Sequence, residues 1–486
     1  MKKLLFLFFT AFLGFSAIAQ SSKGFELTVK INGYPEGQGL RLGRYYGDNQ
    51  RFVDTAVFDK RRGVYVFKRD QPLDGGMYML VSYENTPAEL IIDQNQQFSV
   101  EVGYPFEYSF GMVTNMTFKN SVENQVYTNL NSKLRPLFAD MQNIQKEFDL
   151  LEDKASPEAE RLIKKRQSIL ENVEKIRTQF MQDNPKHLMT AVFRAQKDIE
   201  VPEAPADIPE NERQLWRYNY YMNHFFDNMD LATDDRLLRT PIFHQRLERY
   251  LELLSPHPDS IKFGIERLVE KTRGNPELFR YVVITTTNRY LQTQIVGYDA
   301  IWVYLLEKYY LSGDAVWASE AAIENFRTHV ARTKPLLIGN RPAEFLSPEI
   351  NLENSNEQWR SVFEPRTRYT IVMFWEPNCG HCKKQMPLLR DFYNEKREEL
   401  DFEVFAVCRD NDIERCKNYI NANGITNWIN VDGRTSNVKF DELWDITSSP
   451  TIYVLDSQKR IVTKRIEVDQ IEPFIRNWNA LYYGEK

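Results

Sequence analysis

The stretch Trp375-Glu376-Pro377-Asn378-Cys379-Gly380-His381-Cys382-Lys383-Lys384 decides how the rest of this 486-residue chain is read. Immediately before it, Tyr369 to Trp375 is a run of β-branched, aromatic and other apolar residues without charge. That is the pattern of a strand buried on both faces. After it, Met386, Leu389, Phe392 and Tyr393 recur at helical spacing, which predicts a helix over Cys379 to Glu398. The two cysteines fall where a buried strand turns into a helix. A helix N-terminus presents unpaired N–H groups and a positive partial charge, and both favour a thiolate.

A Cys-x-x-Cys pair either binds zinc or cycles as a disulfide. Zinc normally needs two more ligands. The remaining cysteines, Cys408 and Cys416, are predicted at a strand end and inside a helix, which makes a poor second pair. Redox chemistry accounts for more of the surroundings. Cys379, first in the predicted helix, is expected to be the exposed nucleophile. Cys382, one turn on, is expected to attack the mixed disulfide and release the product. His381 lies between them and is expected to offer the Cys379 thiolate a hydrogen bond or a positive charge, unless it is merely solvent-exposed. Cys408 and Cys416 are expected as buried free thiols, with a structural disulfide as the alternative in an oxidising compartment.

Outward from this centre, residues 334–486 alternate strand and helix. Strands are predicted at Tyr369–Trp375, Phe402–Cys408, Thr451–Leu455 and Arg460–Ile466. A helix over Ile413–Ala422 is expected to be capped by Asp410 or Asp412, and a last helix carries Ile471, Phe474, Ile475 and Trp478 on one face. This pattern predicts an α/β domain with helices on both sides of a sheet.

Residues 20–115 carry short alternating runs separated by Gly, Pro, Asn and Asp. Phe25, Leu27, Val29 and Ile31 form the clearest one. They predict a small antiparallel β-sandwich without a catalytic constellation. Residues 116–333 switch to helical periodicity and predict an all-α region. Its aromatic segment Trp216, Tyr220, Tyr221, Phe225 and Phe226 is expected in the core rather than in a ligand groove. Five histidines lie here, at positions 187, 224, 244, 257 and 329, and none sits at metal-ligand spacing from another His or Cys.

Composition is that of a globular multidomain protein, 42% apolar and 27% charged. A net charge of -6 without a sustained basic run gives no reason to expect nucleic acid. Residues 1–19 read as a cleaved signal peptide: Lys2 and Lys3, an apolar stretch from Leu4 to about Phe15, then Ala17-Ile18-Ala19. The alternative is an uncleaved anchor, although the apolar run is short for a membrane span. The expected location is the periplasm or cell envelope, without stable membrane insertion.

Residues from about Pro335 to Lys486 resemble a thioredoxin-like domain of the TlpA/ResA type. The resemblance rests on Phe374-Trp375, Cys379-Gly380-His381-Cys382, Lys383-Lys384-Gln385-Met386-Pro387 and Ser449-Pro450-Thr451, in that order and spacing. It implies that Pro450 is the family's cis-proline, packed against the disulfide and offering backbone to an extended substrate, and that Pro387 kinks the first helix. The first two regions resemble, more loosely, domains of unknown function that precede such modules in envelope proteins of Gram-negative bacteria. Three departures stand out. Asn378 replaces the Trp that thioredoxins usually carry before the first cysteine. Met373 occupies the place of thioredoxin's buried acid. Gln385 occupies the place of the acid that cytochrome-maturation reductases carry after the second cysteine.

The function expected is an exported thiol–disulfide oxidoreductase, working on protein thiols and disulfides with a membrane electron donor or acceptor and no cofactor. Reductase and isomerase directions stay open. A thiol peroxidase on a related fold is the first alternative, disfavoured because Glu376 stands where such enzymes carry Thr or Ser. A non-catalytic envelope binding protein is the second, disfavoured because both cysteines are present.

Overall fold

The structure, a computed structural model, describes residues 24–350 and 358–483. The targeting segment expected at residues 1–19 lies outside the described residues. The chain divides into two compact units, Met1–Glu252 and Leu253–Lys486, with the boundary inside the helical region. A β-sheet region, a helical region and a C-terminal α/β domain follow one another along it.

Strand Phe25–Asn32 buries Phe25, Leu27 and Val29 completely, while the residues between them face the other way. It pairs antiparallel with Val64–Arg69 and parallel with Gln97–Gly103. Val57–Asp59 and Met116–Lys119 complete this five-stranded sheet. A four-stranded sheet runs Asn49–Thr55, Arg41–Tyr46, Gly76–Val81, Pro87–Ile92. The inner faces share one core, where Phe25, Leu27 and Phe67 meet Leu42, Tyr78 and Leu80. The sandwich is therefore present, with one parallel pairing in an otherwise antiparallel pattern. Strand Asn49–Thr55 has no counterpart in the sequence reading. It is an exposed edge strand, so nothing forces its residues to alternate.

Two long helices, Val122–Asp149 and Pro157–Asp183, pack against each other after the sandwich. Ser121 and Ser156 cap them by accepting the N–H of Asn124 and Ala159. Pro157, Pro258 and Pro276 each stand at the start of a helix. Their fixed φ suits the first helical position, and their missing N–H is unneeded there. The aromatic segment divides in two. Phe225 and Phe226 are buried against Tyr250, whereas Trp216, Tyr220 and His224 form a half-buried stack along helix Arg213–His224.

In the C-terminal domain five strands lie in the order Ile429–Asp432, Phe402–Cys408, Tyr369–Trp375, Thr451–Asp456, Ile461–Lys464. The central strand Tyr369–Trp375 pairs parallel with Phe402–Cys408 and antiparallel with Thr451–Asp456. All seven of its residues are buried. Tyr369, Ile371, Met373 and Trp375 enter one core with Cys382, Met386, Leu389, Ile471 and Ile475. Val372 and Phe374 enter another with Phe345, Phe440 and Trp444. Each fully buried large side chain contributes on the order of 1.5–3 kcal/mol, so the strand end that carries the cysteine turn is held from both faces.

Candidate active site

The turn after Trp375 is built by backbone hydrogen bonds. The Cys379 N–H donates to Glu376 O at 3.2 Å, and the Lys383 N–H donates to Cys379 O at 3.1 Å. The regular helix spans Cys382–Leu400, so Cys379 sits in the turn before it rather than as its first residue. Its environment is nevertheless that of a helix start, because the Cys382 N–H donates to Cys379 Sγ at 3.2 Å. Cys379 Sγ in turn donates to Ser449 O at 3.0 Å.

Both thiols are free, and their surroundings differ. Cys379 is half-buried, whereas Cys382 is completely buried. Burial, reinforced by its contact with the Cys379 sulfur, pushes the Cys382 thiol up to about 12. One sulfur faces outward and the other lies beneath it, protonated.

Pro450 sits beside the pair. The Ser449–Pro450 peptide is cis, and the next residue, Thr451, is paired with Phe374 of the central strand. Pro387 lies within the helix, one turn beyond Cys382. His381 is placed differently from the sequence expectation. Its Nε2 lies 3.1 Å from Glu467 Oε1, so the ring pairs with a carboxylate at the start of the last helix and not with the Cys379 sulfur. Gln385 Oε1 accepts the Val468 N–H at 2.9 Å from the same segment. Both side chains fasten the first turn of the cysteine helix to helix Val468–Tyr483.

The expectation of free thiols at Cys408 and Cys416 is corrected: they form a disulfide. Cys408 ends its strand, and the Asp412 side chain caps helix Ile413–Ala422 by accepting the Glu414 N–H. That cap puts Cys416 one turn into the helix with a Cα–Cα distance of 6.4 Å, within bridging range. Both half-cystines are buried.

Sequence reading missed a polar network around the site. Cys408 stands opposite Trp375 in the sheet, which brings the following residue, Arg409, to the cysteine turn. The Arg409 N–H donates to Trp375 O at 2.9 Å. Its Nη1 donates to Ser449 Oγ at 3.0 Å and lies 3.4 Å from Glu376 Oε1, and its Nη2 lies 3.0 Å from Asp441 Oδ1. Ser449 Oγ donates to Glu376 Oε1 at 2.9 Å. Beyond Arg409 opens a cleft of about 650 Å³, lined among others by Asn411, Arg434, Asn437 and Asp441. Among the described residues no group of three or more His, Cys, Asp or Glu side chains could hold a metal ion.

Residues 367–461 match a family model described as thioredoxin-like, and residues 157–326 match a domain of unknown function, DUF5106. No curated protein matches the chain. Among solved structures it is similar to a domain of a possible thiol-disulfide isomerase from Cytophaga hutchinsonii, at 27% identity over 31% of this chain and 99% of that one, with a TM-score of 0.28. A thioredoxin-like protein from Bacteroides caccae matches at 18% identity over 58% of this chain and 99% of that one, with a TM-score of 0.43. A thiol:disulfide interchange protein from a Bacteroides species matches at 20% identity over 30% and 96%, with a TM-score of 0.25.

Proposed function

With residues 367–461 forming a thioredoxin-like domain, we propose that the chain is an exported thiol–disulfide oxidoreductase acting on protein thiols and disulfides through Cys379 and Cys382. The observation that carries this reading is the asymmetry of the pair. Cys379 is reachable and already accepts an N–H at its sulfur, whereas Cys382 is buried behind it and holds its proton. Cys379 attacks a client disulfide, and one client sulfur leaves with the electron pair. Cys382 then attacks Cys379 Sγ, releases the second client sulfur and leaves the Cys379–Cys382 disulfide. Pro450 and the Ser449 carbonyl border the sulfur and offer backbone to an extended client. His381 works from the flank by tying the helix start to Glu467.

Export is supported by the residue pattern of positions 1–19 and by the Cys408–Cys416 disulfide, which persists in oxidising compartments. Among the described residues no helix is long and apolar enough to cross a membrane. In the reductase or oxidase direction each turnover moves two electrons, and the proposed partner is a membrane electron donor or acceptor.

The test is reduction of insulin disulfides in the presence of dithiothreitol. The parent chain accelerates it, Cys379→Ser abolishes the acceleration, and Cys382→Ser accumulates a mixed disulfide with the client. Activity that survives Cys379→Ser would remove the nucleophile assignment. The direction in the cell follows from the potential of the pair in glutathione buffers. A value near or below about -250 mV marks a reductase, and one above about -200 mV marks an isomerase or oxidase.

A further inference from the structure

Two turns flank the Cys379 sulfur, and they come from strand ends far apart in sequence. The cysteine turn leaves the central strand after Trp375, and the Ser449–Pro450 turn enters the neighbouring strand at Thr451. At the sulfur they meet in one hydrogen bond, from Cys379 Sγ to Ser449 O at 3.0 Å. A thiol is a weak donor, and this bond is lost whenever Cys379 is a thiolate or part of a disulfide. Those are the states in which the sulfur meets a client, so another contact must keep the two turns in place.

Arg409 supplies it. The residue follows Cys408, whose bridge to Cys416 ties the strand end to helix Ile413–Ala422. Its N–H donates to Trp375 O at 2.9 Å, which fixes its backbone to the cysteine strand. Its side chain, 19% exposed, crosses from one turn to the other. Nη1 donates to Ser449 Oγ at 3.0 Å and lies 3.4 Å from Glu376 Oε1, while Nη2 lies 3.0 Å from Asp441 Oδ1. Ser449 Oγ donates to the same Glu376 oxygen at 2.9 Å. A hydroxyl from one turn, a carboxylate from the other and the guanidinium thus close a triangle. None of its bonds involves a sulfur, so all of them persist when Cys379 changes state. The guanidinium charge is met by two carboxylates, which leaves Arg409 to act through geometry.

We propose that Arg409 is a positioning residue that holds the Ser449 carbonyl level with Cys379 Sγ in every redox state, and so fits the site to polypeptide disulfides over small ones. The inference rests on the oxidoreductase reading above. An extended client engages the carbonyl with its backbone and Cys379 with its sulfur at the same time, so it needs the two at a fixed separation. A small disulfide engages the sulfur alone and is indifferent to where the carbonyl lies.

The test uses the full chain, reduced beforehand and mixed with either insulin or bis(2-hydroxyethyl) disulfide, with acid-quenched samples counted for remaining thiols by mass spectrometry. Arg409→Met is expected to lower the second-order rate constant for insulin about tenfold, and that for the small disulfide by less than about twofold. Ser449→Ala keeps the carbonyl and removes the hydroxyl. It is expected to show the same selective loss, and the double variant no more than either single change. Arg409→Lys falls between, because an ammonium lacks the fork that reaches two partners. Equal loss with both oxidants overturns the proposal, since that describes a damaged nucleophile. Losses that multiply to about a hundredfold in the double variant overturn it too, because the two side chains then act separately. So does an insulin rate constant in Arg409→Met within about twofold of the parent's. If Arg409→Met does not fold, an Arg409→Lys chain without a selective loss against insulin overturns it instead. A parent chain that neither oxidant converts to its disulfide refutes the redox reading underneath, a result distinct from all of these.

Discussion

Replacing both Cys408 and Cys416 by Ala should loosen one part of the C-terminal domain selectively. The bridge spans 8 residues, joining the end of strand Phe402–Cys408 to helix Ile413–Ala422. Closing a loop of that size removes about 8 cal/mol/K of entropy from the opened chain, or about 2.5 kcal/mol at 25 °C. Loss of the buried sulfurs adds to this. In an oxidised, folded chain the effect appears first in local opening, where helix and strand end separate. Hydrogen exchange read by mass spectrometry is therefore the assay. Amides of the helix Ile413–Ala422 should exchange roughly 50- to 100-fold faster in the double variant, since about 1.36 kcal/mol corresponds to a factor of ten. Amides of Tyr369–Trp375, bonded to strands on both sides, should change far less. Protection of the helix within about threefold of the parent would refute the view that the bridge holds it to the strand.

Three further outcomes follow from other sites. Glu123 is driven up to about 7, chiefly by burial and then by Asp93, from an ordinary value of 4.5. Because the folded carboxyl binds its proton more tightly, its contribution is full below about pH 4.5 and is lost as pH rises through about 7, at most about 3 kcal/mol. Neighbouring His187, pushed down by burial, gives an opposite slope, so denaturant titrations of parent and Glu123→Gln must be compared across pH 5 to 8; identical slopes refute the assignment. Gly433→Ala would set a Cβ 2.9 Å from Cys408 O, Phe440 Cζ and Val407 Cγ1, and should cost about 1–3 kcal/mol; a fully stable variant would show that the cleft wall yields. Asp299 lies 2.5 Å from the buried Lys464 ammonium, which also donates to Leu336 O. Asp299→Asn should therefore cost about 3–5 kcal/mol, while Asp299→Leu with Lys464→Met should recover most of it; a cost below about 1 kcal/mol for the single change would refute the pairing.

Legibility in the sequence followed the range of the interactions. Tyr369–Trp375 was readable because burial on two faces excludes charge and favours β-branched and aromatic residues, and the structure places Tyr369, Ile371, Met373 and Trp375 in one core and Val372 and Phe374 in another. The cysteine helix was readable, but its regular part begins at Cys382 rather than Cys379, because apolar spacing marks the buried face and not where regular hydrogen bonding sets in. Strand Asn49–Thr55 was not readable, because an exposed edge has no face that must be apolar. The carboxylate partner of the His381 ring was not readable, because spacing along a helix does not say which neighbouring segment lies beside it. Here that segment is Glu467, far along the chain. The Cys408–Cys416 bridge needed the strand-end-to-helix geometry that only the Asp412 cap defines.

The polar network shows why the site's chemistry was the hardest part to read. Glu376, Arg409, Asp441 and Ser449 are scattered in sequence and acquire meaning only through sheet register. Trp375 opposite Cys408 brings Arg409 to the turn, and Phe374 opposite Thr451 brings Ser449 to the same place. Each residue alone looks like an ordinary surface polar group. Together they set the Ser449 carbonyl on one sulfur and tie a carboxylate and a guanidinium to the hydroxyl of the same serine, while the second sulfur stays in an apolar core. The two cysteines are chemically identical side chains separated by one helical turn, so burial and neighbours alone distinguish them. That difference supports an order of events: the half-buried Cys379 meets the client, and Cys382 cannot compete until its proton has somewhere to go.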